Sequence, residues 1–483
     1  METVVKYHRW KGLSIAKDML SSYDKDILVY FDPDVDGMVA GYLVCKYLSL
    51  EGKSFRWYVN SGRKHDWSIE FEKLKGINIV AVDFMIPSNT VEDIVNAGAN
   101  LVSMDHHVNQ GTFIDYSYNT KRGIVINNQY PFEDEDGRYL SGAGVVFETL
   151  RLLNPKMDTK ENRALVGLTL LSDVCNIENP IARGYLKDLY EHKMKGYIRY
   201  LIEHTIGPVD YGFGVPRLDR KYVDYIFSPA INSALRFGAE DEVVEFFLGS
   251  GELNLGYHKR QKELIKKMFE VAHVVEMSNL IVVYVKDYEV PTEENIEHLS
   301  NFIGLLASRY LDGSRSVISY LISNDDEGNP FVKRASFRGN INGVDYLSRL
   351  NDVLVGVGHP SAFGVVEIQP SKKLFKVINR LCIESEGSDE NVKLIQSTSN
   401  LSLFNKKHGY AFGEYNMYCL AQHSRFVRYN GKSIKTIKST PTHCKYKVDG
   451  VDVISFDDKL TFDNALIYPI LERGYLYYYL QGN

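Results

Sequence analysis

The sequence ILVYFDPDVDGMVA, residues 27–40, sets the interpretation of the chain around it. Its first five residues, Ile27–Phe31, are apolar or aromatic and predict a short buried strand, and a helical pattern runs over residues 37–50. Between the two, carboxylates occupy every second position, at Asp32, Asp34 and Asp36. Carboxylates this close repel one another, so their pKa values rise unless a cation keeps them ionised. The stretch therefore predicts a metal site at the carboxyl end of a β-strand.

The composition is typical of a globular protein without membrane spans. The chain has 483 residues, 44% of them hydrophobic and 24% charged, which allows roughly three domains. No apolar run approaches the length of about 20 residues that a spanning helix needs. Residues 1–14 lack the apolar core of a secretory signal, and the net charge of −6 argues against polyanion binding by the whole chain.

The cysteines favour a reducing compartment. They are odd in number, scattered, and without a CxxC pair: Cys45, Cys175, Cys382, Cys419 and Cys444. This arrangement argues against a disulfide framework and against a structural zinc site. We therefore expect a cytoplasmic protein with no membrane partner.

Short apolar runs alternate with helical patterns after the opening stretch. Further strands are predicted at residues 54–59, 77–82, 101–104 and 123–126. Such alternation predicts right-handed βαβ units and a parallel sheet, whose ligands lie outside the carboxyl ends of the strands. Asp83 directly follows one of these strands, and Asp105-His106-His107 follows the next. The predicted sheet therefore gathers three acidic clusters at one edge.

The remaining chain predicts a multidomain α/β protein. Residues 180–250 are mostly helical in pattern, and residues 254–274 predict a long charged linker helix. A second α/β domain follows, with strands at 280–285 and 316–322, and a polar boundary at 385–391. The predicted division is a parallel-sheet domain with its helical connector at 1–250, a linker helix at 251–276, a second α/β domain at 277–386, and a small β-rich domain, OB-like in type, at 387–483.

The ligand types indicate the metal and its chemistry. Aspartate and histidine without cysteine suit Mn²⁺ or Mg²⁺ better than Zn²⁺. Several carboxylates and a histidine on one edge can hold two ions, which together catalyse in-line displacement at phosphorus. Each cluster alone also fits a solvated turn, a helix cap or a surface loop. Their coincidence at three predicted strand ends favours metal-dependent phosphoester hydrolysis.

The clusters resemble, in order, the four motifs of the DHH phosphoesterase superfamily. The matching residues are Asp32-Pro33-Asp34-Val35-Asp36-Gly37, Asp83, Asp105-His106-His107 and Ser172-Asp173-Val174. Residues 140–147, 228–238 and 253–254 are similar to segments of the RecJ-like branch, and residues 358–364 resemble the glycine-rich signature of the DHH-associated domain. The resemblance covers residues 25–370.

The resemblance implies roles for single residues. The implied metal ligands are Asp32, Asp34, Asp36, Asp83, His106 and Asp173, with Asp83 bridging two ions. Asp105, His106 and His107 form the implied catalytic group, in which His107 is a ligand or orients the nucleophile and the phosphate. The implied contacts to substrate phosphates are Asn232, Arg236, Ser336, Arg338, Gly358 and His359.

Three departures from the family pattern concern the substrate pocket. Asp83 is followed by Phe84-Met85 instead of a small residue or histidine. Gly356-Val357-Gly358 lacks the middle glycine of a GGGH run, and Phe363 stands where a small residue is common. The missing glycine predicts a bulkier loop, and the three departures concern details of the substrate pocket rather than the metal ligands.

A basic and aromatic segment lies near the carboxyl end of the chain. Residues 404–447 contain nine Lys or Arg and one acid, Glu414, so their net charge is 9 − 1 = +8. The nine are Lys406, Lys407, Arg425, Arg428, Lys432, Lys435, Lys438, Lys445 and Lys447. Positive charge interleaved with aromatic rings suits a single-stranded nucleic-acid platform. The same pattern also fits a β domain with a solvated basic face and an aromatic core.

Three functions are compatible with the sequence. The first is a RecJ-like exonuclease with two Mn²⁺ or Mg²⁺ ions, which hydrolyses single-stranded DNA from 5′ to 3′ and releases 5′-mononucleotides. The second is a phosphodiesterase of short oligonucleotides or cyclic dinucleotides, and the third is an inactive DHH-fold protein that binds nucleic acid. The first reading makes single-stranded DNA the partner and leaves a single-strand-binding or replication protein as a further candidate. The oligomeric state is not readable from the sequence.

Overall fold

The computed structural model describes most of the chain, namely residues 13–60, 67–107, 122–128, 140–173, 175, 180–191, 196–206, 222–294, 296–311, 315–340, 346–350, 352–359, 361–368, 376–378, 380, 393–398, 402, 425–429, 434–439, 444–455, 465–472 and 475–481. Three β-sheets follow one another along the chain, with helices beside and between them. Among the described helices, none has the length and apolar character needed to cross a bilayer.

The first sheet is parallel throughout and has the strand order β2-β1-β3-β4-β5. Its strands are β1 (Ile27–Phe31), β2 (Phe55–Val59), β3 (Asn78–Val82), β4 (Asn100–Asp105) and β5 (Gly123–Asn127). All five predicted strands are confirmed, with ends that differ by no more than one residue. Every residue of β1, β3 and β5 is buried, as expected for parallel strands covered on both faces.

Helices cover both faces of the first sheet. The described helices up to residue 206 are α1 (Leu13–Ser22), α2 (Val35–Leu50), α3 (Ser88–Asn96), α4 (Gly142–Leu153), α5 (Lys160–Ser172), α6 (Pro180–Glu191) and α7 (Gly196–Ile206). Helices α2, α4 and α5 pack together over one face, where Leu43, Val146 and Leu168 share a core with alternate strand residues. Helix α3 adds Val91 and Ile94 to a smaller core on the other face.

Helix α2 starts two residues earlier than its sequence pattern predicts. The helical pattern indicated a start at Gly37, but the helix begins at Val35. The reason is that Asp34 acts as the N-cap, with its carboxylate accepting a hydrogen bond from the Gly37 N–H at 3.0 Å. Asp36 therefore belongs to the first turn of the helix rather than to a turn before it.

Helices connect the first sheet to the second, as predicted. A π-helical turn (Val223–Phe227) is followed by α8 (Ser228–Arg236), α9 (Glu240–Phe247) and α10 (Gly256–Glu270). The predicted helix over 254–274 was wrong at its end, because His273–Glu276 forms a strand, β6, that pairs antiparallel with β7 (Leu280–Lys286). Helix α10 is also packed along its length, since Leu264, Ile265 and Met268 are buried in the core of the second sheet.

The second sheet has six strands in the order β10-β11-β9-β8-β7-β6, and its one parallel pair is β7 with β8. Its other strands are β8 (Ser316–Asn324), β9 (Pro330–Arg338), β10 (Leu354–His359) and β11 (Ala362–Ile368). The helices beside it are α11 (Ile296–Ser300), α12 (Ile303–Arg309) and α13 (Tyr346–Arg349). The predicted strands at 280–285 and 316–322 are confirmed as β7 and β8.

The third sheet confirms a small β-rich part near the carboxyl end of the chain. It has seven strands in the order β12-β13-β17-β18-β16-β15-β14, mostly antiparallel. The strands are β12 (Lys393–Thr398), β13 (Arg425–Tyr429), β14 (Ile434–Ser439), β15 (Cys444–Val448), β16 (Val451–Ser455), β17 (Ala465–Glu472) and β18 (Tyr475–Gln481). The OB-like assignment and the domain limits stay predictions, and the boundary at 385–391 lies outside the described residues.

Candidate metal centre

The acidic clusters meet because three neighbouring strands of the first sheet end at the same level. Phe31 of β1 is in register with Val82 of β3, and Val82 with Met104 of β4. The residue that follows each of these three positions is an aspartate, namely Asp32, Asp83 and Asp105. The three aspartates therefore lie side by side at the carboxyl edge of the sheet. All three are buried. The edge position that the alternation of strands and helices predicted is confirmed.

His106 is the centre of the cluster. Its Nε2 atom lies 3.3 Å from Asp83 Oδ1, 3.7 Å from Asp173 Oδ2 and 3.8 Å from Asp36 Oδ2. The three carboxylates come from three separate elements, namely the end of β3, the end of α5 and the first turn of α2. One imidazole nitrogen therefore faces three acidic side chains in a site with little solvent.

Asp83 is held in a strained and crowded position. Its φ angle of +53° lies in the left-handed region, and its N–H donates to the Met104 carbonyl at 2.9 Å. Its Oδ1 atom is buried and accepts no hydrogen bond from the described residues. A Cβ atom on Gly142 would overlap this carboxylate, so glycine there makes room for it. Burial raises the pKa of Asp83 well above its usual value, and the charges of other acids add to that rise: Asp36, Asp34, Asp32 and Asp173.

Asp36 is fixed by the start of helix α4. Its two carboxylate oxygens accept hydrogen bonds from the N–H groups of Gly142, at 2.6 Å, and Ala143, at 3.0 Å. A helix N-terminus favours a negative charge through its exposed N–H groups. Burial, followed by the charges of Asp173 and Asp34, nevertheless raises the pKa of Asp36, against the lowering effect of the Ala143 N–H.

Asp105 and His107 form a separate pair beside this cluster. His107 Nδ1 lies 2.8 Å from Asp105 Oδ1, and the Asn127 side chain donates to Asp105 Oδ2 at 3.4 Å and to the His107 carbonyl at 3.1 Å. Burial alone would lower the pKa of His107, but the charge and hydrogen bond of Asp105 raise it to about 10. The pKa of Asp105 falls below its usual value, because the attraction of His107 exceeds the cost of burial. The attraction of Asp105 therefore favours the protonated form of His107.

The donor atoms come together in two groups that fit a divalent ion. In each group, one ligand atom per residue lies within 4.8 Å of the others. The groups are Asp83, His106 and His107, and His106, Asp173 and Cys175. Carboxylate and imidazole ligands suit Mn²⁺ and Mg²⁺, and the unsatisfied buried oxygen of Asp83 is a position where a cation would remove a penalty. The residues present therefore fit the metal that the sequence predicted.

Asp32 and Asp34 lie at the margin of this arrangement. Neither belongs to the two ligand groups, and the carboxylate of Asp34 caps α2. Both charges still contribute to the raised pKa of Asp83. Their roles as direct metal ligands stay predictions.

Three residues that sequence reasoning missed support the centre. Gly142 makes room for Asp83, Asn127 holds Asp105 and His107, and Cys175 donates from its Sγ to Asp173 Oδ2 at 3.3 Å. A signal existed for Asn127, which ends β5 at the same sheet edge. The approach of Gly142 and Cys175 depends on how α4 and α5 pack, which no local pattern encodes.

The predicted phosphate contacts of the second sheet form one structural unit. Arg338 donates from its guanidinium to the Ser336 hydroxyl at 2.9 Å and to the Ser308 hydroxyl of α12 at 3.3 Å. Across β11, Arg338 is in register with Ala362, which is in register with His359 of β10. Ser336, Arg338, Gly358 and His359 thus lie at one end of three adjacent strands. The side chain of His359 is outside the described residues.

The other two predicted phosphate contacts lie on α8. Arg236 Nη1 donates to the Gln261 side chain of α10 at 3.0 Å, and the Arg236 carbonyl accepts from Asn301 at 3.0 Å. Asn232 lies one turn earlier on the same helix. Arg236 therefore joins α8 to α10 and to the turn between α11 and α12, and its role toward phosphate stays a prediction.

The bulky residues that depart from the family pattern point into cores. Phe84 is fully buried and packs edge-on against Tyr30, with ring centres 5.2 Å apart. Phe363 is 2% exposed and stacks on Phe337 at 5.0 Å. Because Phe337 alternates with Ser336 and Arg338 along β9, the ring of Phe363 lies on the opposite face of the sheet. These two departures from the family pattern therefore place aromatic rings in cores.

The comparison with protein families agrees with this geometry. Residues 26–172 match the model described as the DHH family, N-terminal domain. The chain carries a DHH-family domain. The match contains Asp32, Asp83 and the Asp105-His106-His107 cluster, and it ends one residue before Asp173. No curated protein matches the chain.

Solved structures show the fold beyond the DHH domain. The fold is similar to that of RecJ in complex with Mn²⁺ from Thermus thermophilus, with 18% identity and a TM-score of 0.67 over 98% of this chain and 71% of that chain. RecJ from the same organism in complex with Mg²⁺ gives 17% identity and a TM-score of 0.60 over 98% and 70%. An exonuclease RecJ bound to manganese gives 18% identity and a TM-score of 0.51 over 78% and 95%. The chain therefore has a RecJ-like fold.

Proposed function

We propose that this protein is a two-metal phosphodiesterase that degrades single-stranded DNA from the 5′ end and releases 5′-mononucleotides. The observation that carries this proposal is the position of His106 Nε2 within 4 Å of carboxylates from Asp36, Asp83 and Asp173. A buried cluster of like charges favours divalent cations. The RecJ-like fold and the DHH domain support phosphoester hydrolysis.

Residues of this chain would bind two ions and donate a hydrogen bond to the substrate phosphate. Asp36, Asp83, His106 and Asp173 are the proposed ligands. Bound Mn²⁺ or Mg²⁺ would polarise the phosphate and lower the pKa of a water molecule. His107 is oriented through Nδ1 by Asp105, so its Nε2–H points away from that pair and can donate to a phosphate oxygen. Asp105 and Asn127 are positioning residues in this scheme.

Phosphates further along the strand would be bound by the second sheet. Arg338 offers the planar donor geometry that suits phosphate oxygens, and its orientation is set by Ser336 and Ser308. Asn232 and Arg236 are the proposed contacts on α8, and Gly358 and His359 those on β10. These residues are predicted to affect KM more than kcat, because they contact phosphates away from the reacting one.

The test is a substrate panel with Mn²⁺ and the purified full chain. The panel contains a long 5′-labelled single strand, a duplex of the same sequence, a dinucleotide and a cyclic dinucleotide. We expect mononucleotides from the long single strand, and loss of this activity in Asp173→Ala and Asp105→Ala. The control is Asp93→Ala, which removes an exposed carboxylate from α3 and should keep full activity.

Each other outcome selects a different function. Hydrolysis confined to the dinucleotide or the cyclic dinucleotide would make the protein a small-substrate phosphodiesterase. Binding of the single strand without hydrolysis of any substrate, with Mn²⁺ or Mg²⁺, would make it an inactive binding protein. A ladder of progressively shorter strands that keep the 5′ label would reverse the proposed polarity.

A further inference from the structure

One side of the metal centre contains a sulfur atom. Cys175 Sγ lies 3.3 Å from Asp173 Oδ2, and that oxygen lies 3.7 Å from His106 Nε2. Together the three residues offer one nitrogen, one oxygen and one sulfur within 4.8 Å. In a tetrahedral site with bonds of about 2.0–2.3 Å, neighbouring ligand atoms are about 3.5 Å apart. The two measured separations lie on either side of that value.

A second observation beside His106 also indicates a place for a cation. Asp83 is 2% exposed, and its Oδ1 atom lies 3.3 Å from His106 Nε2 without a hydrogen-bond donor among the described residues. A buried carboxylate oxygen in this state carries a desolvation penalty that a nearby cation would remove. The nitrogen-oxygen-sulfur group and the unsatisfied oxygen share His106. The two features therefore meet at His106, whose Nε2 atom lies within 4 Å of carboxylates on both sides of the centre.

We infer that the Asp173 side of the centre is a mixed site, in which Cys175 is a thiolate ligand and the bound ion is a thiophilic divalent cation of the Zn²⁺ class. This inference rests on the proposed metal-dependent function and extends it. It also revises the expectation of an all-oxygen and nitrogen centre without cysteine. The Asp83 side keeps hard ligands, so the two positions would differ in the metals they prefer.

The ligand exchange balances without any further reagent. The Cys175 thiol transfers its proton to water as the bond between sulfur and metal forms, and the cation replaces the proton. No oxidant or reductant takes part. The bound cation then offsets negative charge at a place where three carboxylates face one imidazole.

The test is spectroscopic and uses the full chain with Co²⁺. A cobalt–thiolate bond gives an intense near-ultraviolet charge-transfer band, which cobalt bound by oxygen and nitrogen lacks. We expect this band in the unmodified protein and in Cys45→Ser, and its loss in Cys175→Ser. Cys45 is the matched control because it is buried in the α2 core and belongs to no ligand group among the described residues.

Competition experiments give a second readout. The affinity for Zn²⁺ should fall roughly tenfold or more in Cys175→Ser, whereas the affinity for Mn²⁺ should change less than about twofold, because Mn²⁺ prefers oxygen ligands. If Cys175→Ser does not fold, alkylation of the unmodified chain replaces it. Cd²⁺ should then protect Cys175 from iodoacetamide, as read by mass spectrometry, and Mg²⁺ should not.

The outcomes separate this inference from the proposed function. Cobalt binding without a thiolate band, together with hydrolysis of single-stranded DNA, would overturn the role of Cys175 and leave the nuclease. A thiolate band that depends on Cys175, with no hydrolysis of any substrate, would overturn the nuclease and leave the mixed site. A protein that binds no Co²⁺, Zn²⁺ or Mn²⁺ would contradict both.

Discussion

At the scale of single residues, the metal centre contains buried carboxylates that destabilise the fold when no opposite charge is near them. Asp36 and Asp83 are buried close to each other, and the pKa of each is raised first by burial and then by neighbouring charge. The Asp105–His107 pair has the opposite character, because opposite charges stabilise it. The buried carboxylates around His106 are therefore where a cation would relieve the repulsion between like charges.

The substitution Asp83→Asn should raise the stability of the protein and lower its activity. A carboxyl whose folded-state pKa is raised destabilises the fold as pH rises through that pKa. The asparagine side chain cannot ionise, and asparagine also tolerates the left-handed backbone at this position. We therefore expect the variant in EDTA to have a higher melting temperature than the unmodified protein, with a larger gain at about pH 8 than at about pH 5. Hydrolysis with Mn²⁺ should fall roughly 100-fold or more.

Two measurements check the Asp83→Asn prediction. Thermal unfolding is followed by circular dichroism with EDTA and with Mn²⁺, and Mn²⁺ should stabilise the unmodified protein more than the variant. Asp93→Asn, on the exposed side of α3, is the control and should change neither melting temperature nor activity. A lower melting temperature of Asp83→Asn in EDTA at the higher pH would contradict the electrostatic account.

Gly142→Ala should damage the centre through packing alone. Its added methyl group would overlap the Oδ1, Cγ and Cβ atoms of Asp83, so the buried carboxylate or its neighbours must shift. We expect a loss of about 1–3 kcal/mol in the free energy of unfolding, with a loss of Mn²⁺-dependent activity. The matched control is Gly184→Ala on α6, where the methyl group meets open space. That variant should be stabilised by about 0.5–1 kcal/mol and stay active, so equal effects of both substitutions would argue against the overlap.

At the scale of elements, the sheet edge and the helix ends together position the site. The ends of β1, β3 and β4 bring the acidic residues to one level, and the N-terminus of α4 fixes the Asp36 carboxylate. In the second sheet, strand alternation places Phe363 on one face and the Ser336–Arg338 pair on the other. The ends of strands and helices, and the alternation of side chains along a strand, thus determine which side chains face the site.

Phe363→Leu tests this separation of faces. The ring is 2% exposed and stacks on Phe337, so its replacement should lower the free energy of unfolding by about 1 kcal/mol. The KM for single-stranded DNA should stay within about twofold, because the substituted side chain does not face the proposed phosphate contacts. Arg338→Ala serves as the comparison, and its KM should rise. A lower KM in Phe363→Leu would mean that the ring obstructs the substrate.

The sequence predicted the elements better than the contacts between them. Apolar runs located β1 and β3 because buried parallel strands need continuous apolar residues. The end of α10 was predicted wrongly, since the alternating apolar residues near His273 fit a helix and a strand equally well. Positions such as Gly142 and Cys175 could not be predicted, because their partners lie on other elements that meet them only after packing.

At the scale of the whole molecule, charge is distributed unevenly. The chain has a net charge of −6, while residues 404–447 carry +8. In the third sheet, Lys445 and Lys447 both pair with Asp452, at 2.9 and 3.3 Å, and Tyr446 is 6% exposed between them. Along β15, the two lysines therefore lie on one face of the sheet and the buried Tyr446 on the other. The side chains of residues 404–443 lie outside the described part.

Asp452→Asn tests whether this face takes part in DNA binding. The substitution removes the carboxylate that partly neutralises two lysines. If the third sheet contacts the strand, the affinity for single-stranded DNA should rise about threefold at low salt, and its salt dependence should become steeper. Asp326→Asn makes the same charge change on the exposed β8–β9 turn and should have no such effect. If both variants bind single-stranded DNA with the affinity of the unmodified protein, the DNA does not contact this part of the third sheet.

The two hydrogen bonds from the start of α4 to Asp36 join residues more than 100 positions apart in the sequence. During synthesis, the first acidic cluster leaves the ribosome long before Gly142, Asp173 and Cys175. A nascent chain that ends before Gly142 lacks the two N–H groups that bind Asp36, and it lacks Asp173, one of the three carboxylates around His106. Metal binding should therefore require that translation has passed the end of α5.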